Sequence, residues 1–147
     1  TDIGFVIKRV STEFSAMAAA KNLEIKTEIP DKSAKIDVDE NRLQQVLTNL
    51  VSNAIKYTDK GSVTIALEQT RFNTTVRIKD TGHGISAEDQ RRLFAPFTRV
   101  GGADNSSVTG TGLGMWITKQ LVELVGGHIS IESIEGVGTH VKVVFKA

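Results

Sequence analysis

Two glycine clusters in the middle of the chain constrain its fold and its chemistry more than any other feature. The first occupies residues 80–85 and the second residues 110–114, and the segment between them, 99–109, is polar. Glycine permits positive φ and leaves space for a ligand beside the backbone. We therefore interpret residues 80–114 as a nucleotide pocket with a lid, and we predict that residues 100–109 are mobile without nucleotide.

The composition is that of one ordinary domain, and it argues against nucleic acid and the membrane as partners. A chain of 147 residues can bury roughly 70% of its unfolded surface. A net charge of +1 gives no reason to expect nucleic acid or a direct membrane contact. Cysteine is absent, which removes disulfides and thiolate metal sites. With no long apolar run and no signal-peptide pattern, we expect a cytoplasmic domain excised from a longer protein, whether or not that protein is membrane-anchored.

Apolar residues spaced by three and four predict three main helices. They cover residues 3–21, 40–57 and 113–125, and Asp39 has the position of an N-cap for the second helix. A shorter helix is predicted over 86–93, where a serine can cap its start.

Alternating apolar residues predict the strands. These are 23–29, 62–69, 74–80, 128–133 and 139–145, with a further short strand near 35–37. Helices and strands in this order predict a two-layer α/β sandwich. Its sheet would be mixed, mostly antiparallel and about five strands wide, with three main helices on one face.

Each glycine cluster has a chemical and a structural interpretation. Residues 110–114 lead directly into a helix, whose free N–H groups and dipole favour a phosphate, although a flexible hinge before a helix has the same pattern. Residues 82–87 match the dinucleotide fingerprint, but no βαβ unit surrounds them. Asp80, just before them, can accept a hydrogen bond from an exocyclic amine such as that of adenine, or simply form a turn.

Polar residues line one edge of the second predicted helix. Asn49, Asn53 and Lys56 follow an i, i+4, i+7 spacing beside its apolar face. The two amide oxygens suit Mg²⁺, which takes few protein oxygens and keeps waters and phosphate oxygens. Lys56 and Arg99 can each bind a phosphate, and each residue taken alone can equally be a solvated surface side chain.

Four motifs in a fixed order resemble the catalytic ATP-binding domain of sensor histidine kinases. The wider family includes the gyrase, heat-shock chaperone and mismatch-repair ATPases. The motifs are Asn-x-x-x-Asn-x-x-Lys-Tyr at 49–57, Asp-x-Gly-x-Gly at 80–84, Phe-x-x-Phe at 94–97 and Gly-x-Gly-x-Gly at 110–114. A Gly-x-Gly-Thr turn at 136–139 extends the resemblance over nearly the whole chain, so it implies the Bergerat fold with ATP and Mg²⁺ as cofactors.

The resemblance implies roles at the metal and the phosphates. Asn53 would ligate Mg²⁺, with Asn49 lining the same site. Lys56 would contact phosphate, and Arg99 would reach the γ-phosphate. The residues that hold the phosphates as the lid closes would be Gly110, Thr111, Gly112, Leu113 and Gly114.

The resemblance also implies how the base is held. Asp80 would accept the adenine amine, and Thr139 would support Asp80 through a water. Tyr57 would pack near the adenine and ribose. The base would lie against the backbone at Gly82 and Gly84, with Ile85 in the same pocket.

The three histidines do not match a phosphoacceptor. His83 lies inside the first glycine cluster, while His128 and His140 lie in the last hairpin, and we interpret all three as structural or surface residues. The resemblance therefore implies that the acceptor histidine is on a separate dimerisation domain missing here. The chain alone should bind ATP without autophosphorylating, and a response regulator would be the downstream partner.

Three other functions remain open at this stage. An anti-sigma-type serine kinase shares the fold, and its phosphoserine would be acid-stable where phosphohistidine is acid-labile. A nucleotide-switched interaction module would close the lid without transferring phosphate. A gyrase-like ATPase clamp fits less well, because those proteins carry a glutamate where Asn49 stands.

Overall fold

A computed structural model describes residues 1–32, 34–92 and 114–146. The helices are α1 (Ile3–Ala20), α2 (Glu40–Lys56), α3 (Ala87–Arg92) and α4 (Gly114–Leu124). The strands are β1 (Glu24–Glu28), β2 (Ser62–Gln69), β3 (Asn73–Asp80), β4 (Gly127–Ile134) and β5 (Gly138–Lys146). Within these described ranges, no helix combines the length and the apolar character that crossing a membrane requires.

The five strands form one mixed sheet in the order β1-β2-β3-β5-β4. Only β1 and β2 run parallel, and the remaining neighbours are antiparallel. Helices α1, α2 and α4 contact the sheet or one another on one face, so the predicted two-layer sandwich is confirmed.

The predicted short strand near residues 35–37 is wrong. This segment forms a single antiparallel bridge, between Lys35 and Asp2. The N–H of Ile3 donates to the Ala34 carbonyl at 2.9 Å, and the N–H of Ile36 donates to the Thr1 carbonyl at 3.1 Å. The β-pairing ends at this bridge because the opposite segment, which contains Asp2, enters helix α1 at Ile3.

The core lies between the sheet and the two long helices. Helix α2 buries the apolar arc expected from the sequence, which consists of Leu43, Val46, Leu47, Leu50, Val51 and Ala54, together with Ile55. Helix α1 contributes another apolar stripe, and alternate residues of β2 and β3 complete the layer. Burial of these side chains supplies the main driving force for the fold.

Both ends of α2 are fixed by side chains. Asp39 accepts a hydrogen bond from the Arg42 N–H at 3.1 Å, which confirms the predicted N-cap. At the other end, the Lys21 ammonium donates to the carbonyls of Ile55 at 2.7 Å and Lys56 at 3.3 Å. Because the last carbonyls of a helix lack intrahelical donors and carry negative partial charge, Lys21 stabilises the end of α2.

Replacing Lys21 with methionine should therefore lower the free energy of unfolding by about 1–2 kcal/mol, since two helix-end carbonyls lose a charged donor. Urea denaturation measures this difference. Lys26→Met is the control, because the ion pair of Lys26 with Glu24, at 3.8 Å, is exposed. This variant should change stability by less than about 0.5 kcal/mol. Equal effects would show that Lys21 acts only as a surface charge.

Candidate functional site

Asp80 is the last residue of β3 and stands opposite Thr139 of β5. Its Oδ1 atom accepts hydrogen bonds from the N–H groups of Gly82, at 2.9 Å, and Thr139, at 3.2 Å. The support expected from Thr139 is thus supplied by a direct main-chain bond. Because both donors use Oδ1, the capacity for a further donor lies on Oδ2, and the half-buried side chain can still meet a ligand.

The environment of Asp80 opposes its ionisation. Burial raises the pKa of Asp80 above the ordinary value of 3.8, and the hydrogen bonds from Gly82 and Thr139 lower it only in part. The Thr58 hydroxyl and the nearby His83 also lower this pKa. Thr58 itself is fully buried, and its Oγ1 makes no hydrogen bond of full geometry in the described structure. A half-buried carboxylate whose hydrogen-bonding capacity is only partly used is a good acceptor for a ligand N–H group.

The first glycine cluster fits against the protein's own backbone. A Cβ at Gly82 would lie 2.3 Å from the Tyr57 carbonyl oxygen. Gly84 has φ +71°, and a Cβ there would lie 2.1 Å from the Ile134 carbonyl oxygen. We expected these glycines to make room for a base. The structure shows that, without any ligand, they make room for the end of α2 and for the β4–β5 turn.

Two main-chain hydrogen bonds hold the glycine cluster between those neighbours. The His83 N–H donates to the carbonyl of Tyr57, the C-cap residue of α2, at 3.1 Å. The His83 carbonyl accepts from the Gly136 N–H at 2.6 Å. The His83 ring turns outward, half exposed, and pairs with Asp59 at 2.8 Å. His83 is therefore a surface residue as predicted, and its backbone joins the glycine cluster to both neighbours.

The other two histidines lie on strands β4 and β5. His128 is exposed, and His140 stands opposite Lys79 of β3. Burial, followed by the charges of Lys79 and Arg77, lowers the pKa of His140. Both alternate with the buried residues of their strands, which places them on the sheet face away from the helices.

A polar cluster that the sequence interpretation missed links the loop after the first glycine cluster to β4. The Ser133 Oγ accepts from the Ile85 N–H at 2.7 Å and lies 2.9 Å from the Thr139 hydroxyl. The Gln90 amide donates to the carbonyls of Ile85, at 2.7 Å, and Ser133, at 3.1 Å. The sequence did hold a signal for this cluster, because Ser133 takes the next position in the apolar alternation of Ile129 and Ile131 in β4.

Asn49, Asn53 and Lys56 lie along the edge of α2 and are all half-buried, as their spacing predicted. The Asn49 amide donates to the hydroxyl of Thr118 at 3.3 Å. Thr118 is fully buried, so this contact fixes α2 against α4. Lys56 ends α2 one residue before Tyr57, and Asn53 lies one helical turn earlier. The His83–Tyr57 hydrogen bond therefore brings this edge to the glycine cluster.

Several predicted site residues lie outside the described residues. They are Arg99, Gly110, Thr111, Gly112 and Leu113, together with the Phe-x-x-Phe motif and the predicted mobile segment 100–109. Gly114 is described as the first residue of α4, which agrees within one residue with the predicted helix start.

The side chains at the edge of α2 can supply only some of the ligands of a Mg²⁺ ion. In the part of the chain that the structure describes, no three His, Asp or Glu side chains cluster to hold a metal ion. What the edge of α2 offers is neutral amide oxygen. That set fits a Mg²⁺ ion whose remaining ligands are waters and nucleotide phosphates, and it does not fit a metal held by protein alone.

The sequence from residue 38 to residue 147 matches the family described as histidine kinase-, DNA gyrase B-, and HSP90-like ATPase. The chain belongs to this family. The assignment to the catalytic ATP-binding domain of sensor histidine kinases is confirmed, because the curated relatives are proteins of that class.

The curated relatives are much longer than this kinase domain. The virulence sensor protein BvgS of Bordetella bronchiseptica is 42% identical over 137 residues, which are 88% of this chain and 11% of that protein. The sensor histidine kinase RcsC of Escherichia coli is 36% identical over 139 residues, which are 94% of this chain and 15% of that protein.

Solved structures support the same fold. Full-length ShkA in complex with AMPPNP matches the whole kinase domain over 30% of its own chain, with a TM-score of 0.83 and 27% identity. The mycobacterial sensor histidine kinase MprB matches 99% of the domain over 96% of its own chain, with a TM-score of 0.86 and 25% identity. The nucleotide-free catalytic domain of ThkA matches 99% of the domain over 94% of its own chain, with a TM-score of 0.84 and 27% identity.

Gly84→Ala should destabilise the kinase domain by about 2–4 kcal/mol, because the new Cβ combines a strained positive φ with a clash against Ile134. Gly136→Ala is the matched control. Gly136 has φ +82°, and among the described residues, its chain neighbours aside, no atom lies within 4 Å of the added Cβ, so only the strain of about 1 kcal/mol remains. Urea unfolding of both variants separates the two contributions, and equal losses would contradict the close fit at Gly84.

The raised pKa of Asp80 predicts a pH dependence of stability. The folded state binds the proton more tightly than the unfolded state, so this group stabilises the fold fully below about pH 4 and the contribution is lost as pH rises through the folded pKa. The stability of wild type relative to Asp80→Asn should therefore fall with rising pH and then level off. Thermal unfolding of both proteins from pH 3.5 to about 7 measures this; a relative gain for wild type would mean that the pKa is lowered.

Proposed function

We propose that this domain binds ATP with Mg²⁺ and transfers the γ-phosphate to a histidine on a separate dimerisation domain. The observation that carries the proposal is the Asp80 carboxylate, fixed on Oδ1 by two main-chain N–H groups. The polar edge of α2 is attached to the same loop through Tyr57 and His83. One end of the sheet would therefore offer an acceptor for the base beside ligands for a metal and for phosphates.

The base would be held at Asp80. Its Oδ2 atom would accept the exocyclic amine of adenine, while Oδ1 remains bonded to Gly82 and Thr139. Tyr57 would pack near the adenine and ribose, and Ile85 would line the same pocket. A keto group in place of the amine would meet the carboxylate as a second acceptor, so this contact favours adenine over guanine.

The metal and the phosphates would be held from α2. Asn53 would offer an oxygen to Mg²⁺, and the oxygen of Asn49 would face the same site while its amide stays on Thr118. When bound, the ion supplies positive charge beside the phosphate oxygens. Lys56 and Arg99 would add charge at the phosphates, and Gly110, Thr111, Gly112, Leu113 and Gly114 would contribute main-chain N–H groups.

Transfer needs little from the protein beyond position and charge. A histidine ring nitrogen attacks the γ-phosphorus, the bond to the bridging oxygen breaks, and ADP leaves. The residues above hold the phosphates and stabilise charge, and none is required as a general base. The acceptor on a dimerisation domain and a downstream response regulator are proposed partners, since BvgS and RcsC are far longer than the segment matched here.

Asn53→Ala should reduce phosphate transfer to an added dimerisation domain at least about 100-fold, because the metal loses a protein ligand near the transferred phosphoryl group. Radiolabel from γ-³²P-ATP measures the rate, and loss of the label in acid identifies phosphohistidine. Asn41→Ala is the control, as an exposed asparagine in the first turn of the same helix.

Two outcomes would contradict this proposal. Full transfer by Asn53→Ala would remove Asn53 from the metal site. Acid-stable label in the acceptor would favour the serine kinase alternative, whereas nucleotide binding without any transfer would favour the interaction module.

A further inference from the structure

A side-chain hydrogen bond joins the polar edge of α2 to α4. The amide of Asn49 donates from Nδ2 to the hydroxyl of Thr118 at 3.3 Å. Thr118 is fully buried, whereas Asn49 is half-buried. Helix α4 begins at Gly114, so Thr118 lies about one helical turn after the end of the second glycine cluster. The bond therefore connects the edge proposed for the metal with the helix that follows the residues proposed for the phosphates.

The two ends of an asparagine amide differ in their chemistry. Oδ1 can accept a hydrogen bond or bind a cation, whereas the Nδ2 group only donates. Mg²⁺ takes oxygen ligands, so an amide turned the other way would present N–H groups where an oxygen is needed. Asn49 therefore suits the proposed metal site in only one of its two orientations.

The contact with Thr118 selects one orientation. Because Nδ2 donates to the buried hydroxyl, the nitrogen lies toward α4, and Oδ1, on the other arm of the planar amide, lies away from that hydroxyl. The buried arm of this half-buried side chain is thus the nitrogen, and the arm left for a ligand is the oxygen. Asn53 lies one turn later on the same edge of α2 and is also half-buried.

We propose that Thr118 is a positioning residue, whose hydroxyl holds the amide of Asn49 so that Oδ1 faces the metal site. An apolar group in place of the hydroxyl would leave the Nδ2 hydrogens without this acceptor, which is costly beside buried groups. The amide would then turn its N–H groups toward water and its oxygen away from the site. This inference rests on the proposed function, because it requires Mg²⁺ at the edge of α2.

The first test measures how much Mg²⁺ tightens the binding of ATP. Isothermal titration calorimetry gives the affinity for ATP with Mg²⁺ and with EDTA. We expect Mg²⁺ to tighten binding to wild type at least about tenfold, as for one charge-assisted contact. Thr118→Val should reduce this gain to less than about threefold, with a much smaller change of the affinity in EDTA. In an Asn49→Ala background, Thr118→Val should reduce the gain no further.

Two variants serve as matched controls. Thr118→Ser keeps the hydroxyl and should keep the gain from Mg²⁺. Thr74 is also fully buried, and its Oγ1 has no hydrogen-bond partner in the described structure. It lies near the start of β3, whereas Asp80 is the last residue of that strand. Thr74→Val therefore removes a buried hydroxyl away from the proposed site and should keep the gain as well.

A second test needs no nucleotide. In ¹⁵N spectra of the wild-type domain, the side-chain N–H groups of Asn49 should exchange with water more slowly than those of Asn41, which is exposed on the same helix. Thr118→Val should remove most of this difference, and Thr118→Ser should preserve it. Equal exchange of the two amides in wild type would show that Nδ2 of Asn49 is not held inward, and would overturn the proposal.

The proposal is also overturned if Thr118→Val keeps the wild-type gain, or if it weakens ATP binding equally with Mg²⁺ and with EDTA. The second result would show that the contact only packs α2 against α4. Should Thr118→Val fail to fold, Thr118→Cys supplies a much weaker acceptor and must reduce the gain. A failure of the proposed function looks different, because wild type itself then binds no ATP or gains nothing from Mg²⁺, and the inference fails with it.

Discussion

The hydrogen bonds to Asp80 Oδ1 are the interaction on which the rest of the site depends. One donor, Gly82, belongs to the glycine cluster, and the other, Thr139, belongs to the neighbouring strand. A single carboxylate oxygen therefore fixes the direction in which the chain leaves β3. The two bonds hold the carboxylate in place, but they leave its hydrogen-bonding capacity incompletely used. Burial therefore still acts against the ionised form. A ligand that donates to Oδ2 would recover part of that cost.

The glycine cluster converts this local arrangement into a contact between the two layers. Main-chain bonds from His83 reach the end of α2 on one side and the β4–β5 turn on the other. Gly82 and Gly84 permit the approach because any Cβ would overlap the carbonyls of Tyr57 and Ile134. The position of the helix relative to the sheet is thus set at the proposed base site. For that reason the fold itself requires Gly82 and Gly84.

Residues of α2 serve the core and the proposed site at once. Asn49 uses its amide to bind Thr118 of α4, while its carbonyl oxygen is the atom that a metal site would need. Lys21 stabilises the last carbonyls of α2, directly where Lys56 and Tyr57 lie. The polar edge is consequently held by contacts from α4 and from the residue that follows α1, which lowers the entropic cost of organising it around a nucleotide.

The sequence by itself determined the helices and strands, the layered fold and the family, because hydrophobic periodicity, caps and motif order are local properties of the chain. It also predicted Asp80, Asn53 and the glycine clusters as residues of the nucleotide site, and that assignment stays a prediction. The false strand near Lys35 and the unnoticed Ser133 have one cause: the partners of these residues are distant in sequence. Only the tertiary structure brought Ser133 to Thr139 and Ile85 and pressed Gly84 against Ile134. Hydrogen-bond direction and close packing depend on those partners, so no local pattern could predict them.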